Sequence, residues 1–129
     1  MPKFVLIGLC EPSSPDKQAQ FDEWFVDQHI EDTARCPNVV KGSVYKLSGP
    51  HLEGETPSGY LSVYEVEAPS YQEAEDVLNA WQADKDAWPG RAHHLATADK
   101  FNGMPLAVNG SGWFEHIKSF DGDGERIED

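Results

Sequence analysis

Two hydrophobic periods alternate along this chain, and their order restricts its fold more than any other feature. From Lys3 to Cys10 the sequence is rich in β-branched and large apolar residues and stops at Glu-Pro-Ser-Ser-Pro, the signature of a buried strand. Ser14 then precedes Pro15 and Asp16, which suits a helix start with proline in the first turn and acid at the positive end of the dipole. Phe21, Trp24, Phe25, Gln28 and His29 recur at helical spacing, so the spacing predicts a helix to about Arg35 with one packing face. Pro37 ends it, and Asn38 is a residue type that tolerates a left-handed corner.

Val39 to Leu47 alternates as a second strand, with Val40, Gly42 and Val44 on one side and Ser43, Tyr45 and Leu47 on the other. The glycines and prolines between Ser48 and Ser58 predict a loop, and Tyr60 to Glu67 a third strand. Its Tyr60, Ser62, Tyr64 and Val66 share one face. Ser70 and Glu73 form a capping box for a second helix whose stripe is Ala74, Val77, Leu78, Trp81 and Trp88, stopped by Pro89-Gly90. Residues 91–112 read mainly as loop because of Asn102-Gly103, Asn109-Gly110 and Gly112, with a short helix at His93 to Leu95. Trp113 to Phe120 supplies a last strand.

The order β-α-β-β-α-β defines an α+β fold of ferredoxin-like arrangement, an antiparallel sheet with both helices on one face. A chain of 129 residues with 39% hydrophobic content builds one modest core, so residues 1–120 are expected as one domain and the acidic, glycine-bearing 121–129 as a mobile tail. Apolar residues lie on both faces of the strands, so the uncovered face needs a cover. A second copy of the chain, closing a dimeric α/β barrel as a homodimer, is the economical one.

Acidic residues number 23 against 10 basic, a formal charge of −13 that repels nucleic acid and anionic membrane surfaces. No run of about 18 apolar residues and no leader pattern is present, so the expected location is the cytoplasm. Cys10 and Cys36 lack any CxxC spacing and read as buried free thiols. The tail's Asp-Gly-Asp-Gly-Glu run resembles part of a calcium loop without its later ligands, and His93-His94 diverge on a helix with no ligand at metal spacing, so no metal is expected. The glycine patterns that cradle nucleotides are missing, and no cofactor is expected.

The stretch from Phe21 to Val39 resembles the EthD-like branch of the dimeric α/β-barrel superfamily, whose first helix carries Trp-Tyr-x-x-x-His-Ile-Pro followed by a Pro-Gly-Val corner. Trp24, His29, Ile30, Pro37 and Val39 match in spacing, while Phe25, Glu31 and Asn38 replace tyrosine, proline and glycine. The resemblance implies a pocket between sheet and helices served by a histidine and a tyrosine. Relatives on this scaffold range over monooxygenases, cyclases, isomerases, lyases and haem-handling proteins, so fold leaves the reaction open.

His29 is the first candidate. The helix end favours its protonated ring and partial burial opposes it, the balance a proton carrier needs; packing against the helix end is the plainer alternative. Tyr45, Tyr64 and His116 are candidate partners if their strands turn them toward the helices. Trp24, Phe25, Trp81 and Trp113, with His94 at a rim, are candidates to line a substrate pocket. The expected activity is cofactor-independent proton transfer on a small apolar, aromatic or polyketide-like molecule, in a lyase, cyclase or isomerase reaction. Cofactor-free oxygenation of a phenol or enol begins with the same deprotonation, and a non-catalytic small-molecule or haem-binding protein is the alternative from another class.

Overall fold

The computed structural model describes residues 1–53, 58–83 and 105–128. Strand β1 (Lys3–Pro12) is central, paired antiparallel with β3 (Tyr60–Glu67) on one side and β4 (Leu106–Glu115) on the other. The outer strand β2 (Val39–Lys46) pairs antiparallel with β3, giving the order β2-β3-β1-β4. This is the ferredoxin-like sheet that the order of periods implies. Register puts Leu6 beside Tyr64 and Trp113, and Gly42 beside Tyr64, so these side chains share one face.

Helix α1 (residues 18–34) and helix α2 (Tyr71–Ala83) cover that face. Phe21, Trp24, Phe25 and Ile30 of α1 and Ala74 of α2 join Phe4, Cys10, Tyr64 and Val66 of the sheet in one core. The capping box is present at the start of α2, where the Glu73 N–H donates to Ser70 Oγ at 3.2 Å. At the far end of α1, Asn38 has φ of 76°, the left-handed corner its residue type permits. A close approach follows immediately. A Cβ on Gly42 would stand 3.0 Å from Ala34 Cβ and 3.1 Å from Tyr64 Cδ1, so the missing side chain lets α1 settle on β2 beside the Tyr64 ring.

Three features depart from the sequence expectation. The helix over residues 18–34 is not uniformly α-helical: Gln18–Phe21 and Ile30–Ala34 are, but Asp22–His29 is wound as a π-helix, and the Ile30 N–H reaches back five residues to the Phe25 carbonyl. The last sheet strand begins at Leu106 rather than Trp113 and ends at Glu115. Its glycines mark a bulge and not a loop, because pairing steps from Leu9 with Gly110 to Cys10 with Val108 and leaves Asn109 as the extra residue. Asn109 Nδ2 donates to Ser58 Oγ at 2.7 Å. Finally, Ser119–Phe120 (β5) leaves the sheet and pairs with Arg126–Ile127 (β6) inside the acidic segment. Asp121 Oδ1 accepts from the Asp123 and Glu125 N–H groups at 2.9 and 3.0 Å, so one of the acids in the run resembling a calcium loop is turn chemistry.

The outer face of the sheet carries Ile7, Leu9, Leu61, Val63, Tyr45 and Phe114 with no element of the described chain packed over it. No helix of the described residues is long and apolar enough to cross a membrane.

Candidate active site

A cleft of about 290 Å³ lies over the sheet, lined by residues of both helices. Its floor is strand: Leu6, Cys10, Ser62, Tyr64 and Trp113. One wall is α1, with Phe25, His29 and Thr33; the other is α2, with Glu75, Leu78, Asn79 and Gln82. Trp81 fastens the helices together beyond the cleft, its Nε1 donating to the Asp32 carbonyl at 3.3 Å. Asp32 itself is fully buried and takes a 2.7 Å hydrogen bond from Gln28 Nε2, with Arg35 at 3.6 Å.

His29 owes its place to the π winding. In an α-helix a residue five positions on is rotated by about 140° and faces elsewhere. Over Asp22–His29 the wider turn stacks residues five apart nearly above one another. His29 therefore lies on two rings at once, 4.9 Å from the Trp24 ring at 28° and 5.5 Å from Phe25 at 21°. Phe25 stacks in turn on Phe21 at 5.0 Å. The imidazole is half-buried, backed by aromatic surface, with the cleft in front of it.

Tyr64 stands on the floor of the same cleft. Its hydroxyl is buried with no hydrogen-bond partner at bonding distance among the described residues, and the same is true of Thr33 Oγ1. Burial pushes the phenol well above its ordinary range, with the Thr33 hydroxyl opposing the shift in part. Tyr64 is thus a neutral O–H at every physiological pH.

Of the other residues named from sequence, Phe25 and Trp113 line the cleft. Trp24 does not reach it; fully buried, it supports His29 from beneath. Trp81 serves the helix junction instead of the pocket. Tyr45 pairs with Leu61 on the outer face and is 55% exposed, because Gly42 and Val44 take the inward parity of β2 where α1 presses on it. His116 follows the end of β4, exposed, its N–H bonded to the Lys3 carbonyl and its Nε2 2.8 Å from Ser119 Oγ. That is the opposite end of β1 from the cleft, so neither Tyr45 nor His116 partners His29. His94 and Trp88 lie outside the described residues. Cys10, Ser62, Thr33 and the α2 residues Glu75, Asn79 and Gln82 entered the site unannounced. Only strand parity from Tyr64 could have pointed to Ser62.

Both cysteines are free and buried. Desolvation pushes Cys10 from its ordinary 9.0 up to about 11, opposed by a hydrogen bond from Ser62, and Cys36 likewise to about 11. Folded values above unfolded ones mean that the folded state holds these protons more tightly. Their contribution to stability is complete below pH 9 and is lost as pH rises through 11, and Tyr64 acts in the same direction. The melting temperature is expected to stay level from pH 7 to about 8.5 and to fall steadily above 9. Neither thiol is expected to react with an aromatic disulfide reagent at pH 8 until the protein is unfolded in guanidinium; rapid native labelling would contradict this burial.

The molecule is thus a ferredoxin-like α+β protein in which a histidine and a tyrosine both line a cleft between sheet and helices. Solved structures share that fold. HapK from Hahella chejuensis superposes with a TM-score of 0.57 at 14% identity, over 90% of this chain and 94% of that one. An ethyl tert-butyl ether D (EthD) family protein from Bacillus halodurans gives 0.51 at 17% identity, over 91% and 100%. The resemblance to the EthD-like branch read from Phe21 to Val39 is therefore met by a solved EthD-family structure with the same architecture. No family model matches the sequence, and no curated protein does.

Proposed function

We propose that this protein is a cofactor-independent enzyme that moves a proton on a small aromatic or polyketide-like substrate. One observation carries the reading: Tyr64, whose buried hydroxyl has no hydrogen-bond partner at bonding distance among the described residues, lines the same cleft as the aromatic-backed ring of His29. Unsatisfied buried donors are rare, and one facing a cleft is matched by an acceptor on the substrate. In the reaction His29 takes a proton from a C–H or O–H acid, and Tyr64 donates a hydrogen bond to the oxygen on which charge develops. Returning the proton at another atom isomerises the substrate, attack of the enolate on a carbonyl within the molecule cyclises it, and the retro-aldol direction cleaves a C–C bond. A cleft of about 290 Å³ suits a molecule of one or two rings.

The enzyme acts as a homodimer in which a second copy covers the outer face of the sheet. The apolar row there supports this, since single-copy sheets expose one polar face.

The test is exchange in D₂O of the carbon-bound α protons of enolisable aryl ketones and the ring protons ortho to phenol hydroxyls, with oxygen uptake recorded alongside. Wild-type protein is expected to accelerate exchange for a subset of the panel without consuming oxygen, and His29→Ala to lose about 100-fold or more of that rate. Equal rates in wild type and His29→Ala overturn the proposal. Oxygen consumption moves the reaction to a monooxygenase, and undiminished ligand affinity without exchange moves it to a carrier.

A further inference from the structure

The α2 wall says more about the substrate than the catalytic pair does. Glu75, Asn79 and Gln82 follow one another at helical spacing along the edge of the cleft, facing the aromatic and apolar side formed by Phe25, His29 and Trp113. Among the described residues that line the cleft, Glu75 is the only carboxylate, and none is lysine or arginine. Tyr71, one turn earlier, stands close enough for the Glu75 carboxylate to push its phenol above the ordinary range, and the Tyr71 ring meets Trp113 edge-on with centroids 6.4 Å apart and planes at 70°. A carboxylate on the wall of a cleft that shows no lysine or arginine among its described residues repels an anion and accepts hydrogen bonds from a donor.

We infer that the cleft selects substrates that are neutral or cationic and carry a hydrogen-bond donor on the edge facing α2, with Glu75 as the discriminating residue. Carboxylates and phosphate esters are excluded. The inference rests on the reading of this cleft as the substrate site and adds the substrate's charge and polarity.

Three bicyclic probes of one size separate the possibilities: 2-naphthol, (2-naphthylmethyl)ammonium and 2-naphthoate. Affinities are read by calorimetry, and the side-chain amide resonances of Asn79 and Gln82 report whether a probe occupies the cleft. The ammonium and the naphthol are expected to bind about tenfold or more tightly than the naphthoate. Glu75→Gln, which keeps the shape of the side chain, is expected to bring the naphthoate within about threefold of the naphthol. Glu73→Gln removes the same charge from the exposed first turn of α2 and is expected to leave the preference intact, which separates Glu75 from the general field of a chain at −13. Probes that shift both amides with no preference for charge, or a preference that survives Glu75→Gln, overturn this inference alone. If no probe shifts either amide at millimolar concentration, the cleft reading itself is overturned.

Discussion

Tyr64→Phe is expected to lower turnover by about 100-fold while raising the stability of the folded protein by about 1 kcal/mol. The two effects have one origin. The Tyr64 hydroxyl is buried, and among the described residues no partner stands at bonding distance, the Thr33 hydroxyl helping only in part, so folding strips it of water without fully restoring the hydrogen bond. Phenylalanine keeps the ring that packs beside Leu6 and Gly42 and removes only the unsatisfied group. A tyrosine hydroxyl with a structural role gives the opposite result, a loss of stability with little change in rate. Chemical denaturation read beside initial rates on a substrate from the exchange panel distinguishes them. A Phe variant that is both less stable and fully active removes Tyr64 from the mechanism. Because burial raises the phenol above its usual range, its protonation does not limit the rate below pH 9, and the pH dependence of the wild-type rate in that range belongs to other groups.

Much of the fold was legible in the sequence, and of the candidate site His29, Phe25, Tyr64 and Trp113 line the cleft. The cap at Ser70 and Glu73, the corner at Asn38 and the shared parity of Tyr60, Ser62, Tyr64 and Val66 are local rules, and local rules survive in the fold. What escaped depends on pairings that sequence spacing does not encode. The residues Phe21, Trp24 and Phe25 satisfy a 3.6-residue period, so nothing in their spacing announces the π winding that carries His29 over both rings. Gly110 and Gly112 read as breakers because glycine is a poor strand former. Pairing along the whole of β1 outweighs that preference, with the bulge at Asn109 absorbing the misfit. Glu75 was invisible for a different reason. A glutamate on an amphipathic helix reads as solvated surface, and only the placing of both helices over the sheet turns that surface into the wall of a cleft.

The second large effect concerns the outer face. Ile7→Asp is expected to convert a homodimer into a 14.4 kDa monomer in sedimentation equilibrium, weakening association by at least about 100-fold. Ile7 lies on the central strand, with Val63 on one side and Gly112 on the other, so its side chain is in the middle of the apolar row. In the proposed dimer an aspartate there, repeated by symmetry in the partner, places two carboxylates in an apolar seam that solvates them poorly. The substitution faces away from the helices, and the core around Trp24 and Phe25 is untouched, so the variant is expected to stay folded by circular dichroism. Charge supplies a second reading of the same equilibrium. Each chain carries −13, and bringing two together is opposed by repulsion that salt screens, so the wild-type dimer is expected to tighten as salt rises from 20 to 300 mM. An interface built on ion pairs would loosen instead. A wild-type protein that sediments at 14.4 kDa at tens of micromolar, at both salt concentrations, overturns the dimer and leaves the apolar face to some other cover.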